Sequence, residues 1–212
     1  MFGRFSESVK KGRAGGEVLA MQQLVGATLL RFLDVVSEQI ENLKKSLDMR
    51  QVEEFMNAIE QARKIFVMGA GRSGFVARAF AMRLMHLGYD VYVVGETVTP
   101  RIGEEDLLIT ISGSGETTSV VNISRKAKEE IGSMLAAITQ NESSTLAKMS
   151  DVVVLLSGKN KYQRDETLSS IAPLGTMFEL TALIFLDGLV AELMNLKRLT
   201  EKDLEQRHAV LE

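Results

Sequence analysis

Between residues 17 and 47, apolar side chains recur every three or four positions, at Leu24, Phe32, Val35 or Val36, Ile40, Leu43 and Leu47. That spacing places them on one stripe of an α-helix. A second helical stretch, about 48–62, carries Val52, Phe55, Met56 and Ile59. Beyond Ala62 the pattern changes. Short runs that are apolar at consecutive positions, KIFVMG (64–69), YDVYVVG (89–95), DLLITIS (106–112), MLAAIT (134–139) and DVVVLL (151–156), alternate with helical stretches near 74–87, 116–130, 143–149 and 173–195. Consecutive apolar positions suit strands covered on both faces, and strand–helix alternation implies right-handed crossovers. The pattern therefore predicts an α/β fold with a doubly wound, five-stranded parallel sheet in the flavodoxin-like order 2-1-3-4-5. Helices should cover both faces, preceded by a long N-terminal helix that packs on another subunit or across the sheet. Residues 1–16, polar and glycine-bearing, read as a flexible extension, and 17–212 as a single domain.

Composition narrows the function classes. The apolar share of 45% and charged share of 25% are those of an ordinary globular chain, and the net charge of −3, with no basic face, argues against a nucleic-acid partner. Without cysteine there are no disulfides and no thiolate metal sites, and two histidines, His86 and His208, leave little for a structural zinc; no metal is expected. The N-terminus lacks the continuous apolar core of a secretory signal. The most apolar segment, Leu180 to Met194, is broken by Asp187 and Glu192 and is too short for a membrane span. A cytoplasmic protein with no membrane partner is expected.

Candidate chemistry concentrates in two glycine-rich loops. Gly69-Ala70-Gly71-Arg72-Ser73-Gly74 follows the first strand and matches G-x-G-x-x-G, and Ser112-Gly113-Ser114-Gly115-Glu116-Thr117 follows the third. In the predicted order these strands border the point where strand order reverses, and ligands bind there at the strands' carboxyl ends. The second loop offers close backbone approach, hydroxyl donors from Ser112, Ser114 and Thr117, and the free N–H groups of the helix that follows, which is a phosphate cradle. A turn with a helix cap is the plainer account, although a cap does not need six such residues. The first loop raises the possibility of a dinucleotide cofactor, with Glu96 placed at the end of the second strand for a ribose. Against it, Arg72 and Ser73 put polar side chains in the turn, and a second anion loop has no part in dinucleotide binding. Two loops facing one cleft fit one small phosphorylated ligand better.

GAGRSG, FAMRLMHLGYDVYVVGETVTP, DLLITISGSGET, PLGTMFELTALIFLD and the C-terminal RHAVLE, taken in order, resemble the 6-phospho-3-hexuloisomerase branch of the sugar isomerase (SIS) domain superfamily. The resemblance runs over residues 40–212; the SGSGET loop marks the superfamily, and MRLMHLG, GETVTP and RH mark the branch. It implies a homotetramer that interconverts D-arabino-3-hexulose 6-phosphate and fructose 6-phosphate with no cofactor and no metal. It also implies that Ser73 and the Ser112–Thr117 loop hold the phosphate and that Glu179 is the proton acceptor.

The chemistry accommodates that assignment. Moving a ketone between C3 and C2 passes through a 2,3-enediol, and one carboxylate on one face of the sugar can make both proton transfers. Glu179 is expected in the second turn of a helix opened by Pro173, among Met177, Phe178, Leu180 and Ala182, whose apolarity would raise a carboxylate pKa. From the residues alone it is equally an exposed helix glutamate; the resemblance favours the base. His208 is the candidate for opening the fructose ring, in its own or a neighbouring subunit's cleft. His86, just before Gly88, reads as a structural helix-end histidine. Arg72 could steady phosphate or enediolate charge, and Glu96 could bind sugar hydroxyls or cap the GETVTP turn. The 157–171 loop, with Lys159, Lys161 and Arg164, reads as a charged surface loop. A sugar-phosphate sensor without catalysis is the alternative, although no basic or DNA-binding segment precedes the sheet.

Overall fold

The computed structural model describes residues 26–156, 171–172 and 175–211. Five parallel strands, β1 (Ile65–Gly69), β2 (Val91–Val93), β3 (Leu107–Ile111), β4 (Met134–Thr139) and β5 (Val152–Leu155), form one sheet in the order β2-β1-β3-β4-β5. This is the order the hydrophobic pattern predicts. Helix α1 spans 26–46 among the described residues, followed by α2 (Met49–Gln61) and α3 (Arg72–His86). The others are α4 (Thr118–Arg125), which runs into a π-helical turn (Lys126–Ile131), α5 (Thr145–Met149), α6 (Thr176–Lys197) and a short α7 (Glu201–Glu205) that the sequence pattern does not announce. The expected extension at 1–16, the charged loop at 157–170 and Pro173 lie outside the described residues.

Alternation within each strand builds two cores. Ile65 and Val67 of β1 point with Leu107, Ile109 and Ile111 of β3 toward α2, α3 and α6, where they meet Phe55, Ile59, Phe80, Leu84 and Leu186. Phe66, Met68, Leu108, Leu135 and Ala137 point the other way, under Val120 of α4, Ala127 and Leu146 of α5. Covering on both faces is why the central strands are apolar at nearly every position, Thr110 of β3 and Thr139 of β4 being the buried exceptions. β2, at the edge, is only half-buried. The opposite edge, β5, is blunted by α2: the Leu155 N–H, which faces away from β4, donates to the Gln51 side-chain oxygen at 3.0 Å.

Helix α1 buries Val35 and Leu43 but leaves Leu29, Leu30 and Leu33 at 58%, 63% and 50% exposure. Its lower half and α2 face α6 across an apolar groove of about 780 Å³.

Packing and backbone shape both require the G-x-G-x-x-G turn: Gly71 sits at φ +57°, a left-handed conformation, with open space around it, whereas Gly69 is excluded from carrying a side chain by its neighbours. A side chain at Gly69 would place its Cβ 2.6 Å from the Ser73 carbonyl carbon and oxygen, because α3 starts directly against the end of β1. Gly69→Ala is therefore expected to lower stability by about 1–3 kcal/mol, the usual cost of overpacking, read as a shift in the urea midpoint followed by far-UV circular dichroism.

Candidate active site

β1 and β3 are adjacent and in register, with Gly69 beside Ile111. Their chains leave the same rim of the sheet and turn to opposite faces, α3 to one core and α4 to the other. Between them is a cleft of about 350 Å³, within the usual range for a small-molecule site. The loops contribute Ala70, Ser73, Ser112, Gly113, Ser114 and Thr117 to its wall, and α6 contributes Phe178 and Glu179.

The Ser112–Thr117 loop is held by its own hydrogen bonds. The Gly115 N–H donates to Ser112 Oγ at 3.2 Å, Ser112 Oγ and Thr117 Oγ1 lie 3.3 Å apart, and the Glu116 N–H donates to Ser114 Oγ at 3.2 Å. Gly115 has φ +66°, a left-handed conformation that a side chain resists, and Ser144 occupies the space where its Cβ would stand. Thr117 is the N-cap of α4 but makes no side-chain cap bond, and Gly71 at the start of α3 has no side chain to make one. Two helices thus present uncapped positive ends to the rim, the arrangement that holds a phosphate without lysine.

Glu116 belongs to the loop but turns away from the cleft. Its carboxylate accepts the Thr145 N–H at 2.7 Å, at the first turn of α5. This bond, the Thr145 side chain and the Lys148 charge hold its carboxyl below the usual glutamate range.

Glu179 differs from its expected setting. Helix α6 begins at Thr176, because Gly175 ahead of it sits at φ +83°, so Glu179 falls in the first turn, and its N–H donates to the Gly175 carbonyl at 3.2 Å. Nor are its surroundings only apolar: Arg72 Nε lies 2.5 Å from Glu179 Oε2, joining the start of α3 to the start of α6. The Glu179 side chain is 12% exposed.

Glu96 pairs with Arg78 Nη2 at 2.5 Å on the surface and is not part of the cleft wall. His208 lies at the far end of α3, its ring stacked on His86 with centroids 5.2 Å apart. Since α3 is 15 residues long, that is about 20 Å from Arg72, so His208 does not enter its own chain's cleft. His86 is buried, at the last turn of α3. Gln140, which the sequence reading passes over, also lines the cleft, and its N–H donates to the Gly113 carbonyl at 3.2 Å. Its signal is positional: it directly follows β4, the strand beside β3.

A parallel sheet with two anion-type loops at its reversal point and an acid above them defines a phosphate-ligand α/β domain. Residues 58–184 match the SIS domain family. A protein of Archaeoglobus fulgidus is 68% identical over 87% of this chain and 100% of its own length. The 3-hexulose-6-phosphate isomerase of Methanocaldococcus jannaschii is 41% identical over 86% of this chain and 98% of its own. The crystal structure of a Methanococcus jannaschii protein, from which a 3-hexulose-6-phosphate isomerase function was inferred, superposes with a TM-score of 0.75 at 43% identity, covering 85% of this chain and 98% of that one. The chain belongs to the SIS domain family, and within it is a 6-phospho-3-hexuloisomerase-like sugar-phosphate isomerase.

The Glu116 bond has a pH signature. Its folded-state pKa lies below the unfolded one, so its stabilising contribution is present above the usual glutamate range and fades as pH falls through the folded-state value. Thermal melts should show Glu116→Gln less stable than the natural chain at neutral pH, with the gap narrowing as pH falls below the usual glutamate range.

Proposed function

We propose that this enzyme interconverts D-arabino-3-hexulose 6-phosphate and fructose 6-phosphate through a 2,3-enediol, without cofactor or metal. The observation that carries the reading is the meeting of Glu179 with the Ser112–Thr117 loop in one cleft; the isomerase relatives support the choice of substrate. The loop's N–H and hydroxyl groups, with Ser73, hold the phosphate at one end. Glu179 takes the proton from C2 and returns it to C3 on the same face.

Arg72 serves the base in this scheme. Paired with Glu179 at 2.5 Å, it orients the carboxylate in the resting enzyme. When Glu179 becomes neutral by accepting the proton, the guanidinium loses its counter-charge as negative charge develops on the enediolate, and it is then placed to stabilise that charge. Gln140, at the cleft wall, can bond sugar hydroxyls as donor or acceptor. Glu96, paired with Arg78 outside the cleft, has the weakest claim to the substrate.

The 3-keto sugar phosphate has no comfortable ring: O6 is esterified, and O5 would close a four-membered one. Ring opening is needed only from fructose 6-phosphate, and His208 is assigned that task. Because His208 lies at the far end of α3, it must act on a neighbouring subunit's cleft, which makes the enzyme an oligomer, as a homotetramer of single domains spanning 17–212. The exposed leucines of α1 and the groove beside α6 are apolar surface available for that assembly. A cytoplasmic location suits a reaction of soluble sugar phosphates, and no described helix is long and apolar enough to cross a membrane.

Conversion of 3-hexulose 6-phosphate with no added cofactor, followed by a coupled assay for fructose 6-phosphate, tests the reading directly; binding without turnover would favour a sensor. Glu179→Gln should lower kcat by roughly 10²–10⁴-fold while fructose 6-phosphate binding by calorimetry stays near the natural value. Joint loss of binding and turnover would contradict the assigned role. His208→Ala should slow turnover from fructose 6-phosphate more than from the 3-hexulose; equal slowing in both directions would remove ring opening as its task.

A further inference from the structure

We propose that Phe178, seated on Gly113, is a positioning residue that sets the distance between the catalytic carboxylate and the phosphate loop, and so decides which carbon of the anchored sugar is deprotonated. The proposal rests on Glu179 as the base, and it assigns Gly113 a task other than phosphate binding.

The two glycines of the Ser-Gly-Ser-Gly loop are required for different reasons. Gly115 is demanded by backbone shape, at φ +66°. Gly113 is not: its φ lies outside the left-handed region, so no left-handed backbone demands a glycine there. What excludes a side chain there is one neighbour. A Cβ on Gly113 would lie 2.9 Å from Phe178 Cδ1, 3.0 Å from Cγ and 3.5 Å from Cβ. The phenyl ring rests directly on the loop backbone, one residue before Glu179.

Neither partner is free to drift. The Gly113 carbonyl accepts two hydrogen bonds from the β4 side, from Thr139 Oγ1 at 3.2 Å and from the Gln140 N–H at 3.2 Å. Phe178 is 5% exposed and belongs to the core shared by the sheet, α3 and α6. The contact is thus a rigid spacer, pinned to the sheet on one side and built into the first turn of α6 on the other. With the phosphate ester of C6 fixed in the loop, the height of the carboxylate above that loop selects the carbon it reaches.

Substituting Gly113 moves the softer side of this contact. To bring the new Cβ from 2.9 Å to an ordinary carbon–carbon separation, the start of α6 must move by roughly 0.6–1 Å. A misplacement of that size costs up to about 10²-fold in rate. A crystal structure of Gly113→Ala should show the Glu179 carboxylate displaced from the Ser112–Thr117 loop by that amount; an unmoved carboxylate overturns the proposal.

In kinetics, Gly113→Ala should lower kcat tenfold or more, with KM for fructose 6-phosphate within about threefold of the natural value. Phe178→Leu alone should show the same split, since it loosens the seat from the other side, and this variant carries the test if Gly113→Ala does not fold. The double variant Gly113→Ala/Phe178→Leu refills the contact and should turn over faster than either single variant. Multiplied losses in the double variant, or a raised KM with kcat unchanged, would show a damaged loop and refute the spacer. If the natural enzyme does not isomerise the sugar phosphate at all, the assigned reaction falls, and the crystallographic displacement still decides the spacer.

Discussion

The side-by-side placement of β1 and β3 is the constraint on which the rest of the molecule depends. Each strand ends at the same rim, and each hands its chain to a different face, so α3 and α4 diverge and leave their amino ends around one cleft. Separate strands elsewhere in the sheet would send their loops to different places. Here a pair of polar backbone turns is concentrated at one open cleft, and the positive ends of two helices face the same space.

An anion loop alone only binds. In the proposed function, what equips the cleft for proton transfer is the start of α6, which enters from sequence about sixty residues downstream. It is held there by three contacts of different kinds: the left-handed Gly175 that sets where the helix begins, the Phe178 ring on Gly113, and the Arg72–Glu179 ion pair. Steric, conformational and electrostatic restraints agree on one carboxylate position, which is the preorganisation that the proposed base would need.

The three glutamates singled out in the sequence show how such restraints divide similar residues. Glu96 is spent on a surface pair with Arg78, Glu116 on the first turn of α5, and Glu179 on Arg72 at the cleft. None of these partners lies within the local stretch of its glutamate. The histidines divide likewise: His86 and His208 stack on each other at the end of α3 remote from the cleft.

The order of elements, the sheet topology and the two glycine loops are legible in the sequence because they depend on short-range causes. Apolar periodicity distinguishes strands from helices, and unbroken apolar runs report burial on both faces. Handedness then leaves few ways to wind the sheet. Helix α7 was not legible, since a five-residue helix carries no periodicity. The start of α6 is not legible either, because proline marks a plausible first turn, whereas the observed boundary follows the φ of Gly175. Which glutamate faces the cleft, why Gly113 must lack a side chain, how Gln140 joins the wall, and which end of α3 receives His208 were settled only when segments 18 to 122 residues apart came into contact. Such contacts leave no local pattern, because the partner that selects each side chain's position belongs to another part of the chain.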